Sequence, residues 1–182
     1  VVFDDSYFDD SWLIAGWNKR ADIRQGPAYF APISALGVNF STVCIVVAPA
    51  EASGARARAV FETPIPMVSL TNEVKTGSTR SRTRIEVLRT VEGDKVHYKL
   101  TGTIKRASSP TRIYKSIAEP RPFFRQMFKV AMDQRGISVT GAYRQGQVPK
   151  GARQITKMDS DTLGLIVGKM NKYSSNYMAE TL

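Results

Sequence analysis

KYSSNYMAETL, residues 172–182, sets Ser174, Ser175 and Asn176 directly after an apolar, helix-patterned stretch and just before another run that suits a helix. Ser and Asn favour the first position of a helix because their side chains accept a hydrogen bond from a backbone N–H that has no partner inside the helix. On geometry alone, then, Ser174 or Ser175 is an N-cap. The same Ser-x-Asn triplet also has a catalytic reading, and the rest of the chain decides between the two.

Upstream, the apolar period is that of a helix. Leu163, Leu165, Ile166, Val167 and Met170 recur at helical spacing, with Asp159 or Ser160 available as cap, which predicts a mostly buried second helix. Before it, Ile137, Val139 and Tyr143 alternate as in a strand. Residues 120–136 carry Phe123, Phe124, Met127, Phe128 and Val130 between prolines and Gly136, predicting a first helix of about four turns. Ahead of residue 115 the character changes to β. Residues 35–48 are rich in Val and Ile, and residues 61–63 and 67–70 are short runs broken by Pro64 and Pro66. Residues 85–91 and 95–101 flank Glu92-Gly93-Asp94 as a hairpin. A twisted antiparallel sheet is expected there, with its Arg and Lys alternating onto the wet face. Lys75-Thr76-Gly77 reads as a turn. The fold class is therefore α+β, with a change of organisation near residue 115.

Composition narrows the function classes. A chain of 182 residues can bury a sizeable core, and no apolar run approaches the roughly 20 residues that span a bilayer. No secretory leader is visible at Val1-Val2-Phe3-Asp4-Asp5. Cys44 lies in an apolar run and reads as a small buried hydrophobe. With His97 as the single histidine and no cysteine cluster, no metal and no cofactor are expected. Trp12 and Trp17 bracket an irregular stretch and are expected to anchor its packing. The net charge of +10 invites a polyanion partner, and residues 75–106 hold nine cations against three anions. A nucleic-acid-binding β-domain would use such a segment, yet Tyr98 is its one aromatic residue, so a base-stacking platform is missing and no nucleic acid is expected.

Several blocks resemble one family. Ser174-Ser175-Asn176 followed by Tyr-Met-Ala-Glu resembles the second signature of penicillin-binding proteins, whose set is Ser-x-x-Lys, Ser-Asp-Asn and Lys-Thr-Gly. YFAPISALGVNF (residues 29–40), the opening VVFDDSYF with GWN at residues 16–18, and QRGISVTG (residues 134–141) together resemble the class C, type-4 penicillin-binding proteins, serine D-alanyl-D-alanine carboxypeptidases and endopeptidases of the cell envelope. The likeness runs in order over essentially the whole chain. It implies a β-rich accessory insert, mostly residues 1–115, followed from residue 116 by the start of an α/β penicillin-binding, serine transpeptidase-like domain. It also implies a periplasmic location, with peptidoglycan stem peptides and β-lactam antibiotics as partners.

Residue by residue, the likeness assigns Ser174 as the second serine, which relays a proton to the leaving amine. Asn176 would hydrogen-bond the substrate's peptide amide. Asp4 and Phe8 match positions that line the pocket for the amino end of the diaminopimelate side chain. Ser175 stands where the family's commonest residue is Asp, at a position pointing away from the cleft.

None of the fifteen serines has Lys three residues on, so the nucleophile motif is not in this sequence. Lys75-Thr76-Gly77 precedes Ser-x-Asn by about a hundred residues, whereas the family's third motif follows it. These residues on their own are thus expected to be inactive. A non-catalytic envelope scaffold of the same fold is the alternative, and the presence of Ser-x-x-Lys upstream distinguishes the two.

Overall fold

The structure is a computed structural model that describes residues 1–17 and 25–182; Asn18 of the GWN block lies outside the described residues. Its elements in chain order are β1 (Val2–Phe3), β2 (Thr42–Ala48), β3 (Arg58–Phe61), β4 (Val68–Asn72), β5 (Lys75–Thr76), β6 (Arg84–Glu92), β7 (Lys95–Ile104), β8 (Thr111–Ser116), α1 (Pro120–Gln134), β9 (Arg144–Gln145), α2 (Leu163–Tyr173) and α3 (Asn176–Glu180). The chain is α+β, as its residue patterns imply.

The expected hairpin forms. β6 and β7 pair antiparallel from Glu92↔Lys95 to Arg84↔Thr103, joined by Gly93-Asp94 with Gly93 at φ 60°. A two-residue hairpin turn needs positive φ at its first position, which glycine adopts without steric cost. Val96, Tyr98 and Leu100 of β7 are buried, while His97 and Lys99 lie on the opposite face. The sheet is mixed, however, and not antiparallel throughout, because β4 and β5 both pair parallel with β7. Lys75-Thr76-Gly77 is likewise part of this ladder and not a turn. Thr76 is buried, its hydroxyl accepts from the Ala50 N–H at 2.8 Å, and Gly77 N donates to Ile104 O at 2.8 Å.

A second sheet has β2 at its centre, antiparallel to both β3 and β8. Val43, Ile45 and Val47 of β2 face the core and Cys44 faces the other way. Cys44 is therefore a half-buried residue of the outer face, beside Tyr114 and Glu62, and not the core hydrophobe its apolar neighbours suggest; burial and then the Glu62 charge push its thiol pKa up. The inner faces of both sheets close over one core with Ile65, Met67, Val74, Ile117 and Phe123. Each such fully buried aliphatic or aromatic residue contributes roughly 1.5–3 kcal/mol by leaving water. Tyr98, fully buried, donates its hydroxyl to Ser116 O at 2.9 Å and so ties the two sheets together. Arg89 departs from the expected alternation of cations onto the wet face: it turns inward against Tyr98, and its Nη2 donates to Ile117 O at 3.1 Å.

α1 begins with prolines in its first turn, where the missing N–H costs nothing. It ends at Gly136, φ 68°, with Gly136 N bonded to Asp133 O and Ile137 N to Met132 O, both at 3.0 Å. These are the paired bonds of a Schellman cap. Phe123, Met127 and Val130 press this helix onto the core. The strand expected at residues 137–143 does not form; the pairing comes just after it, where Arg144–Gln145 lie parallel to Val2–Phe3. α2 forms where its period implies, but no residue of it is buried and Leu163 is 66% exposed. Its N-cap is Thr162, in place of Asp159 or Ser160, without a side-chain cap bond. Among the described residues no helix is long and apolar enough to cross a membrane.

Candidate functional site

The two serines at the end of α2 divide two tasks. Ser174 takes the left-handed conformation, φ 49° and ψ 45°, and its N–H bonds back to Met170 O, which ends α2 and reverses the chain. Ser175 is the N-cap of α3, its Oγ accepting from Met178 N at 3.3 Å. The ambiguity between the serines is thus resolved, and the Ser174 hydroxyl takes no part in the cap. Asn176, first residue of α3, donates from Nδ2 to Tyr29 O at 3.1 Å. Among the described residues that bond leaves its amide oxygen and a second N–H for other partners.

Ser174 and Asn176 line one cavity of about 580 Å³, together with Tyr29, Phe40, Tyr114 and Lys169. At its rim Lys169 is paired with Asp161 at 2.7 Å. Asp4 and Phe8 lie in a neighbouring recess of about 430 Å³, with Ser34, Gly37, Tyr177 and Thr181. The four sequence-predicted residues therefore fall into two adjacent recesses, and Tyr177 is a wall of both.

Asp4 is held as a carboxylate by hydrogen bonds. The Ser6 hydroxyl donates to it at 2.6 Å, Val148 N at 2.7 Å and Ser6 N at 3.0 Å. Its pKa falls below the usual carboxylate range, first through the Ser6 hydroxyl and then through the Val148 N–H. Asp5 next to it is buried. Its carboxylate receives Arg121 and the Gln145 amide, while Arg121 also reaches Asp10 and lies over the Trp12 ring at 5.3 Å. Arg121 thereby clamps the segment carrying Asp4 and Phe8 onto α1. Trp17 packs on Phe30 at 4.9 Å, so both tryptophans do anchor the irregular stretch between them.

The block at residues 29–40 forms the floor beneath α3. Asn39, Phe40 and Ser41 have φ 49°, 52° and 50°, three successive non-glycine residues in the left-handed region. Phe40 and Ser41 each cost roughly 1–2 kcal/mol there relative to right-handed backbone, and Asn39 less. The turn is closed by Ser41 N to Val38 O at 2.9 Å and by the Thr42 hydroxyl to Asn39 O at 2.7 Å. Phe40 meets Tyr177 edge-on, centroids 5.5 Å apart at 79°. Sequence reasoning missed Tyr177, Gly37 and the Asp5–Arg121 clamp. Asn39 was the available signal for the turn, since Asn tolerates the left-handed region better than most residues.

A family model for the D-Ala-D-Ala carboxypeptidase 3 (S13) family matches residues 1–182. The chain belongs to that family. It is 28% identical over 188 residues to the D-alanyl-D-alanine carboxypeptidase of Actinomadura sp. (strain R39), covering 98% of this chain and 34% of that protein. In fold it is similar to penicillin binding protein 4 (dacB) of Haemophilus influenzae, with a TM-score of 0.69 at 17% identity over 98% of this chain and 38% of the other. The same protein in complex with a β-lactam gives a TM-score of 0.58 at 16% identity over 83% of this chain and 34% of the other. This S13 chain thus spans about a third of the length of the relatives it matches. Among these S13 residues, Lys75-Thr76-Gly77 is a sheet element with a buried threonine, outside the Ser-x-Asn cavity.

Proposed function

We propose that this chain is part of a periplasmic serine D-alanyl-D-alanine carboxypeptidase or endopeptidase that acts on peptidoglycan stem peptides through an acyl-enzyme. The observation that carries the reading is the shared cavity of Ser174 and Asn176 in a member of the S13 family, with the Ser174 hydroxyl outside the helix cap. In this reading residues 1–115 are mostly accessory insert and residues from 116 begin the catalytic half. The Ser-x-x-Lys nucleophile and the downstream Lys-Thr-Gly belong to other parts of the protein, and the present residues alone are inactive.

The chemistry divides as follows. A serine outside these residues attacks the D-Ala-D-Ala carbonyl, and the lysine one helical turn on takes its proton. Ser174 passes a proton to the departing amine. Asn176, fixed through Nδ2 to Tyr29 O, offers its amide oxygen to the substrate's peptide N–H. Water then hydrolyses the acyl-enzyme; a β-lactam acylates the same serine. Asp4, ionised by its hydrogen bonds, faces the ammonium of the substrate's side chain, with Phe8 beside it.

Benzylpenicillin acylation of the intact enzyme tests this reading. Asn176→Ala and Ser174→Ala should each slow acylation by roughly 10²–10³, the loss typical of removing one preorganised polar group at a reacting centre. Rates equal to wild type for both variants would overturn the assignment.

A further inference from the structure

α3 has five residues, none fully buried, and a helix that short has no stability of its own in water. Its place must come from side chains that reach out of it. The Ser175 cap fixes its start and Asn176 Nδ2 holds Tyr29 O. Tyr177 reaches furthest, into the left-handed turn beneath, with its ring against Phe40 and its hydroxyl at Ser41. Burial raises the pKa of that hydroxyl. Ser41 is itself buried, and among the described residues its hydroxyl makes no well-formed hydrogen bond; the Tyr177 hydroxyl is the group it interacts with.

Gly37 explains how the hydroxyl fits. A Cβ on Gly37 would lie 2.0 Å from Tyr177 Oη, 3.3 Å from its Cζ and 3.5 Å from Ser34 O. The φ of Gly37 is not positive, so backbone freedom is not what this position requires. It requires space for one oxygen atom. A left-handed run of non-glycine residues persists when its surroundings over-determine it, and here the run presents Phe40 and Ser41 to the same tyrosine.

We propose that Tyr177 is a positioning residue: its hydroxyl, seated in the slot that Gly37 leaves open beside Ser41, fixes α3 so that Ser174 and Asn176 keep their places at the cavity. The catalytic consequence rests on the acyl-serine reading above; the positional one stands on geometry. Because Tyr177 also walls the Asp4 and Phe8 recess, its displacement disturbs both recesses together.

Four variants of the intact enzyme test this: Gly37→Ala, Tyr177→Phe, the double variant, and Asn176→Ala as a control for the acyl-serine reading. For each, benzylpenicillin acylation is resolved into its noncovalent binding constant and its acylation rate constant, and in the three variants that keep Asn176 its side-chain amide is followed by NMR. Gly37→Ala should shift the Asn176 amide resonances and lower the acylation rate constant roughly tenfold to a hundredfold, the scale of an ångström-sized misplacement, with binding little changed. Tyr177→Phe alone leaves the slot without its oxygen and should lower the acylation rate constant severalfold. In the Gly37→Ala background it removes the atom at 2.0 Å and leaves one at 3.3 Å, so the double variant should rise from the Gly37→Ala rate to that of Tyr177→Phe and no higher. A Tyr177→Phe variant as fast as wild type with unmoved Asn176 resonances would overturn the proposal. Gly37→Ala indistinguishable from wild type, or a double variant no faster than Gly37→Ala, would overturn the proposal. So would a lowered melting temperature with resonances and rate unmoved. If Asn176→Ala acylates like wild type while Gly37→Ala shifts the resonances, the acyl-serine reading fails and the positional inference stands. If Asn176→Ala is slow and Gly37→Ala is silent, the reverse holds.

Discussion

Replacing Arg121 by Met removes a charge while keeping most of an aliphatic stem for the Trp12 ring. The Asp5 side chain, 7% exposed, then keeps the Gln145 amide but loses Arg121, the other partner that reaches it among the described residues. Breaking a fully buried ion pair from one side costs about 3–5 kcal/mol. Arg121 is 31% exposed and Asp10 82%, so solvent already screens part of this network, and Gln145 still satisfies one oxygen. Roughly half of the loss remains, about 2 kcal/mol, which lowers the melting temperature of a chain this size by roughly 4–8 °C. Differential scanning calorimetry reads that shift. Asp5→Asn in the Arg121→Met background removes the stranded charge and should return about half of the loss. A single variant within about 0.5 kcal/mol of wild type would refute the reasoning, because that is the range of surface changes that touch nothing important. So would a double variant whose cost is the sum of the two singles.

Other consequences follow from the same structure. Tyr98→Phe leaves Ser116 O without its buried donor and should destabilise by about 1–2 kcal/mol in urea unfolding, with an unchanged slope on denaturant. Asp4, whose pKa is lowered in the folded state, contributes stability that is present above its unfolded pKa and lost as pH falls through the folded one. Asp4→Asn should therefore lower stability at neutral pH and flatten the acid limb below about pH 4, so that variant and wild type converge in acid; an identical acid limb in the variant would contradict the hydrogen bonds assigned to that carboxylate.

Much of the fold was legible where local chemistry and tertiary environment agree. Gly93 between two alternating runs marked the β6–β7 hairpin, and prolines before Phe123 with Gly136 after Met132 marked both ends of α1. The errors arise where a contact distant in sequence decides. Ile137 and Val139 alternate like a strand, yet the ladder with Val2–Phe3 begins only at Arg144. Lys75-Thr76 looked like a turn because its partner, the far end of β7, is nearly thirty residues away. Cys44 and Arg89 illustrate how strand register selects a face: the first points out of an apolar run and the second into the core from a basic one. α2 carries a core-like apolar period but leaves Leu163 and Leu165 exposed and Ile166, Val167 and Met170 only half-buried.

The candidate site follows the same division. Ser174 and Asn176 were visible as a short motif, whereas the shelf that holds them is built from Gly37, Phe40 and Ser41, more than a hundred residues earlier. Nothing local at Tyr177 reveals that it bridges two recesses. The reach of its hydroxyl past Gly37 is a fact of packing between segments far apart in sequence.

Peptide mapping of the intact protein after reaction with benzylpenicillin is the most direct test of the acyl-serine reading. A single penicilloyl group is expected on a serine outside residues 1–182, followed three positions later by lysine. An adduct on any of the fifteen serines of this chain, or no adduct at all, would contradict it.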